Sequence, residues 1–125
     1  MRFADFIKDG KVRLASKDIS LAKSLLKSTL NEIKFLNKLK LADESASTLM
    51  KSYYDILRKI LEAFSAIEGY KVYSHEAFTY FLKEKGEDVL SIKFERFRKI
   101  RNGLNYYGTT ISSKEARDII NDMLN

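Results

Sequence analysis

The chain contains no proline and only five glycines among its 125 residues, and this scarcity restricts its fold more than any other feature. Proline and glycine form the tight turns that separate short strands, so a chain with so few of them has few obligatory turns. Hydrophobic residues make up 45% of the chain, which supplies one core, and the length leaves no room for a second domain. The sequence therefore predicts a single domain of the all-α class.

Apolar residues recur three and four positions apart over most of the chain, which is the spacing that lines one face of a helix. The pattern predicts four main helices and one short helix. The main helices are predicted at about 18–39, at 45–68, from 88 to the tyrosines before Gly108, and from 112 onward, with the short helix at 74–86.

Polar residues and glycines stand where these helices are predicted to begin and end. Ser74 and Asp88 are predicted N-caps, because their side-chain oxygens accept hydrogen bonds from free backbone amides. Ser112, followed three residues later by Glu115, has the spacing of a capping box. Gly69 is predicted to end the second helix in the left-handed conformation.

The arrangement of the helices follows from their connections. Short connections between long amphipathic helices favour antiparallel neighbours, which predicts an up-and-down bundle of four main helices plus a short one. The wide apolar arc of the helix at 45–68 favours a globular bundle over a coiled-coil rod. Residues 17–125 are predicted to form this single domain, and residues 1–16 an N-terminal arm with a short helical turn that packs loosely on it.

Charge and composition narrow the function. Twenty-three Lys and Arg against seventeen Asp and Glu give a net charge of +6, which favours polyanionic partners. The chain has no cysteine and a single histidine, His75, which excludes disulfides and thiol chemistry and argues against a metal site or a metal cofactor. No apolar stretch is long enough for a signal peptide or a membrane span. We therefore expect a cytoplasmic protein that does not associate with membranes.

Arg101 breaks the apolar pattern of the fourth main helix. With Arg98 at 0° and about 100° per residue, the apolar side chains of this helix fall between about −40° and −160°, and Arg101 falls near −60°. A guanidinium on an apolar face loses its hydration unless it reaches an edge or finds acceptors. Positions that break the pattern in this way are often functional.

Further polar side chains surround Arg101 on the same helix. By the same arithmetic Asn102 and Asn105 lie beside Arg98 and Arg101, and all four side chains are able to hydrogen-bond a phosphate or a nucleotide. Tyr106 and Tyr107 follow, and aromatic rings next to a basic patch are able to stack on bases. The alternative is structural: Arg101 pairs with a carboxylate of a neighbouring helix or of a second subunit.

The segment Arg101-Asn102-Gly103-Leu104-Asn105-Tyr106-Tyr107-Gly108 resembles the signature of the HEPN family of helical domains, in which an Arg, often followed by Asn, precedes a His by four to six residues. Two other segments resemble landmarks of this family. They are the run from Tyr53 to Leu61, similar to its acidic-centred helix, and Ser74-His75-Glu76, similar to the Thr-His-Asp that opens a short helix.

The resemblance implies a homodimer and, for many members, a metal-independent ribonuclease; some members are toxins paired with small nucleotidyltransferases. It assigns catalytic roles to Arg101 and Asn102, and it makes Asp55 the supporting acid. Tyr106 stands where the family has its catalytic His, with Tyr107 next to it. A phenol with a pKa near 10 is a poor general base at neutral pH, so the resemblance leaves catalysis open and RNA or nucleotide binding as the expectation.

Three functions remain open at this stage. The first is binding of RNA or a nucleotide through Arg98, Arg101, Asn102, Asn105 and Tyr107, with or without cleavage. The second is a non-catalytic interaction module that docks a nucleotidyltransferase. The third, a basic DNA-binding bundle, is disfavoured because the lysines are scattered and no helix-turn-helix is recognisable.

The positions of two further side chains are also predicted. The helical wheel places Asp55 opposite the main apolar stripe, on a solvated face unless its helix is covered on both sides. The histidine that follows Ser74 is predicted to be an exposed residue in the first turn of its helix.

Overall fold

The computed structural model describes residues 1–106 and 111–124, except for the side chains of residues 105 and 106. This part of the chain contains six helices and two short strands. The elements are α1 (Phe3–Lys8), β1 (Val12–Leu14), α2 (Ile19–Leu36), α3 (Asp43–Glu68), β2 (Tyr70–Val72), α4 (His75–Glu84), α5 (Asp88–Tyr106) and α6 (Ser113–Leu124). The predicted all-α helical bundle is confirmed. None of the helices in this described part is both long and apolar enough to cross a membrane.

The long helix α3 lies at the centre of the bundle. On one side Tyr53 and Ile56 pack against Ala116 and Ile120 of α6, with apolar residues of α2 completing the cluster. On another side Met50, Tyr54 and Leu61 pack with residues of α4 and α5. The helical wheel predicted a solvated Asp55 unless its helix is covered on both sides. Because α3 is covered on more than one side, this exception applies, and Asp55 is half-buried.

The predicted helix ends are mostly confirmed. Gly69 ends α3 with φ of 88°, in the left-handed region. The Ser112 hydroxyl accepts from the Glu115 amide at 3.1 Å, as a capping box requires. Two details differ: the Ser74 side chain makes no capping hydrogen bond, and Asp88 is already the first residue of α5.

The N-terminal segment differs from its prediction. β1 pairs with β2 in an antiparallel ladder that aligns Val12 with Val72, although the sequence indicated no strands. Phe3, Phe6 and Val12 are buried against α4, in one cluster with Phe81. The prediction that this segment packs loosely is therefore wrong. Its apolar side chains form part of the core because the strand pairing holds the segment against β2 and α4.

Gly69 offers a local test of this packing. A Cβ at Gly69 would lie 3.0 Å from the backbone oxygen of Ala15, whereas a Cβ at Gly86, with a similar φ of 77°, would meet nothing within 4 Å. Both alanine substitutions strain the left-handed backbone, so we expect Gly86→Ala to lower the free energy of unfolding by about 1 kcal/mol and Gly69→Ala by about 2–3 kcal/mol. Urea denaturation measures both values. Equal losses would show that the contact with Ala15 has no energetic cost.

Candidate functional site

The candidate site forms where α3, α4 and α5 meet, around the side chains of Tyr54 and His75. Tyr54 is fully buried, at 0% exposure, and its ring stacks on Phe94 of α5 with the centroids 5.6 Å apart. Phe94 in turn makes an edge contact with Phe78 of α4. The Tyr54 hydroxyl lies 3.3 Å from Nδ1 of His75, the first residue of α4. Aromatic packing therefore fixes the phenol, and the phenol positions the imidazole.

Three arginines from two helices surround this pair, and we call Arg58, Arg98 and Arg101 the arginine cluster. The Arg101 guanidinium lies over the Tyr54 ring, with Cζ 5.7 Å from the centroid, which is a cation–π distance. Arg98 precedes Arg101 by about one turn of α5, and Arg58 follows Tyr54 by about one turn of α3. All three charges act on both Tyr54 and His75.

Two members of the arginine cluster have unused hydrogen-bond donors. The Nε atoms of Arg58 and Arg101 are buried and have no hydrogen-bond partner among the residues that the structure describes. Arg58 donates from Nη1 to Glu62 at 3.2 Å, while Arg101 makes no ion pair with any described carboxylate. A buried N–H without an acceptor is costly, so each of these Nε atoms has a hydrogen-bonding capacity that the described residues leave unmet. The predicted alternative, an ion pair of Arg101 with a neighbouring helix, finds no partner among residues 1–106 and 111–124.

Burial and charge set the protonation of the central pair. Burial raises the pKa of Tyr54 to about 12, although the neighbouring arginines lower it in part, so the phenol stays neutral. Burial lowers the pKa of His75, and the nearby charges of Arg58 and Arg101 lower it further, with Asp55 opposing them. The imidazole is therefore uncharged at neutral pH. The site therefore holds a neutral imidazole near three guanidiniums and one carboxylate.

Arg98 is held by a polar network between α4 and α5. The Glu95 carboxylate accepts hydrogen bonds from Arg98 and, at 2.7 Å, from the Thr79 hydroxyl. Burial alone would raise the pKa of Glu95, but these hydrogen bonds outweigh it and hold the pKa below its usual range. The Ser91 hydroxyl, also buried, donates to the Thr79 backbone oxygen at 3.0 Å. The network fixes the direction of Arg98 and neutralises part of its charge.

An open cleft borders the site along α4 and α5. Its volume is about 730 Å³, and Arg98 lies on its wall together with Lys99 and Lys83. Glu76 and Glu95 contribute negative charge to the same wall. The cleft is large enough for a nucleotide, and Arg98 is the member of the arginine cluster that lines it.

The structure brings together some of the side chains that the sequence singled out. Arg98 and Arg101 belong to the arginine cluster, and Asp55 is near enough to act on both Tyr54 and His75. Asn102 is half-buried on α5, and its side chain makes no hydrogen bond with the described residues. The side chains of Asn105 and Tyr106, and all of Tyr107, lie outside the part of the chain that is described.

Sequence reasoning missed three members of the site: Tyr54, Arg58 and His75. The prediction of an exposed His75 is wrong, because the ring is half-buried and contacts a buried phenol on another helix. The only feature of the sequence that could have indicated a buried Tyr54 is its position next to Tyr53. Two neighbouring tyrosines point about 100° apart on a helix, so both are buried only if the helix is covered on two sides.

Neither a metal-ligand cluster in the described residues nor a likeness to a known protein identifies the site. Within residues 1–106 and 111–124, no three His, Cys, Asp or Glu side chains gather as they would around a metal ion. Comparison of the chain with protein-family models, with curated proteins and with solved structures gave no match.

Proposed function

We propose that this chain is a HEPN-like, RNA- or nucleotide-binding protein that holds a phosphate group at the arginine cluster. One observation carries the proposal: guanidiniums from α3 and α5 converge on a pair formed by the buried Tyr54 and the half-buried His75, and the Nε atoms of Arg58 and Arg101 have no acceptor among the described residues. Guanidinium groups bind phosphate oxygens through paired, charge-assisted hydrogen bonds.

The surroundings of the cluster support a ligand larger than a single phosphate. The adjoining cleft adds Lys99 and Lys83 beside Arg98. Basic side chains bind successive phosphates of a nucleic acid. The net charge of +6 favours the approach of a polyanion from a distance.

The proposal includes self-association and a ribonuclease-like role, both implied by the resemblance. Three large apolar side chains at the start of α5, Val89, Leu90 and Ile92, are exposed. Exposed apolar groups that lie close together often mark an interface, which supports a homodimer formed around this helix. The toxin-type role and catalysis by Arg101 and Asn102 remain part of the same proposal.

A second candidate function is an interaction module that partners a small nucleotidyltransferase. An apolar groove of about 390 Å³ favours it, lying between α3, α4 and the start of α5. Phe64, Ile67 and Leu90 form part of its wall and are exposed. A groove of this kind is suited to an apolar side chain of another protein, and in this function Arg101 would serve stability or docking rather than RNA.

Arg101→Ala tests the first function against the second. If Arg101 binds phosphate, we expect its loss to weaken binding of a short single-stranded RNA of mixed sequence by about 10- to 100-fold, because a charged hydrogen bond contributes about 1.5–3 kcal/mol. The slope of log Kd against log salt should fall by about one unit. Fluorescence anisotropy at several salt concentrations measures both quantities.

The control is Lys23→Ala, which removes one positive charge from an exposed position on α2. It should change RNA affinity by less than about 3-fold, because it alters only the long-range field. Equal effects of the two variants would reduce the proposal to a general attraction between a basic protein and RNA. Unchanged RNA binding in Arg101→Ala, together with a large drop in its melting temperature, would favour the interaction module.

A further inference from the structure

We infer that the exposed face of α2 is a docking surface for a membrane of anionic lipids. This surface consists of Ile19, Lys23, Lys27, Leu30 and Lys34, and we call it the α2 outer face. The inference goes beyond the proposed function, because none of these residues belongs to the arginine cluster. It also departs from the expectation that the protein does not associate with membranes, since binding at a membrane surface needs no spanning helix.

The five side chains of the α2 outer face point in similar directions. With Leu30 at 0° and about 100° per residue, the five positions fall between about −20° and +60°. All five are exposed, with Ile19 at 59% and Leu30 at 61%, whereas Ala22, at about −80°, is buried. The α2 outer face therefore extends for about 22 Å along the helix and is turned away from the bundle.

The positive charge of this part of the chain is poorly compensated. Residues 17–40 contain six lysines and only two carboxylates, so they carry +4 of the chain's net charge of +6. Both carboxylates are engaged, because Asp18 caps α2 by accepting from the Leu21 amide and Glu32 forms an ion pair with Lys59 of α3 at 2.6 Å. The lysines of the α2 outer face make no ion pair within residues 1–106 and 111–124.

An anionic surface would relieve the repulsion between these lysines. Lys23 and Lys27 are four residues apart, and like charges at this spacing destabilise a helix. Each lysine close to an anionic membrane strengthens binding by about 5-fold, the equivalent of about 1 kcal/mol. The three lysines of the α2 outer face together therefore strengthen binding by about 100-fold, which is enough for reversible attachment.

The two aliphatic side chains favour a lipid membrane over other anionic partners. The phosphates of a nucleic acid would bind the lysines but leave Ile19 and Leu30 in contact with water. A protein partner gains most of its affinity from side chains that fill pockets, whereas the surface of a single helix is convex. The boundary between lipid headgroups and acyl chains accommodates both groups, because lysines reach the phosphates while aliphatic side chains enter the apolar layer.

Cosedimentation with lipid vesicles tests the inference on wild type. We expect the protein to bind vesicles of two parts phosphatidylcholine and one part phosphatidylglycerol, and to bind pure phosphatidylcholine vesicles about 100-fold more weakly. High salt should release the protein from the anionic vesicles, because it screens exposed charges.

A pair of double variants tests the position of the charges. Lys27→Gln combined with Lys34→Gln should weaken binding to the anionic vesicles by about 10- to 30-fold. The control combines Lys71→Gln with Lys114→Gln, which removes two exposed charges from β2 and α6. It should weaken binding by less than about 3-fold. Both proteins have the same net charge, so only the location of the lysines differs.

A second pair of variants tests the aliphatic side chains. Leu30→Ala should weaken binding to the anionic vesicles by about 3- to 10-fold, because its side chain is partly buried in the apolar layer. Phe35→Ala is the matched control, since Phe35 is also 61% exposed but lines the cleft between α2 and α3. It should change binding by less than about 2-fold.

The outcomes are separate from those of the proposed function. Failure of wild type to bind anionic vesicles would overturn the inference, and so would equal effects within either pair of variants. If the double variant of α2 loses RNA affinity relative to its control, the α2 outer face binds RNA and the membrane inference is wrong. The RNA measurements with Arg101→Ala decide the proposed function, whatever the vesicles show.

Discussion

Replacing Phe94 with alanine is expected to lower the free energy of unfolding by about 3–5 kcal/mol, the usual cost of removing a buried aromatic ring. Phe94 is 2% exposed and lies between Tyr54, on which it stacks, and Phe78, whose ring it meets edge to face. The substitution leaves a cavity that rigid helices on three sides cannot close. Urea denaturation followed by circular dichroism measures the loss.

The same variant tests whether packing positions the site. Tyr54 loses the ring that fixes it, so its contacts with His75 and Arg101 should loosen, and RNA affinity should fall even where the variant is folded. Phe64→Ala is the matched control, because Phe64 lies on α3 with 50% of its surface exposed. Phe64→Ala should lower the free energy of unfolding by less than about 1 kcal/mol. A Phe94→Ala protein as stable as this control would contradict the packing described for the core.

Replacing Phe3 with alanine should also lower the free energy of unfolding by about 3–5 kcal/mol, although Phe3 is only the third residue of the chain. Phe3 is 1% exposed, and its ring meets Tyr70 and Phe81 edge to face at 5.1 and 5.6 Å. The N-terminal segment would lose its main anchor, and Phe81 would become accessible to water. Thermal denaturation followed by circular dichroism should show a melting temperature several degrees lower.

Phe35→Ala provides the comparison for Phe3, because Phe35 is 61% exposed on α2. Its loss should change stability by less than about 1 kcal/mol. If Phe3→Ala has the same melting temperature as wild type, the N-terminal segment is attached loosely, as the sequence predicted. The two variants therefore decide between the two descriptions of residues 1–16.

The helices were predictable from the sequence because their signals are local. The spacing of apolar residues identified the helix over 45–68, which the structure extends to Asp43, and the glycine after it ends that helix as predicted. The capping box formed by Ser112 and Glu115 is equally local. Hydrogen bonds between residues three or four positions apart depend little on the rest of the fold.

The strands were not predictable by the same means. Each is three residues long, which is too short for an alternating pattern to stand out. Their pairing depends on contacts between residues about 60 positions apart, such as Val12 with Val72. The burial of Phe3 has the same cause, since the strand pairing brings the N-terminus to α4.

The candidate site was likewise predictable where its signal lies on one helix and unpredictable where it depends on packing between helices. Arg101 stood out because it interrupts the apolar face of a single helix. His75 and Arg58 did not, because each becomes part of the site only when α4 or α3 packs against α5. Tyr54, which contacts His75 and Arg101, was not predicted either. It lies on the second covered side of α3, and only the tertiary structure shows that this side is covered.

The buried contacts among Ser91, Thr79 and Glu95 have a mechanical consequence. Sliding α5 along α4 by one helical turn, about 5.4 Å, would break every one of them and strand polar atoms away from water. His75 and the two arginines of α5 are thus carried on a pair of helices locked in a single register. A ligand that docks there meets groups already aligned and spends little of its affinity on ordering them.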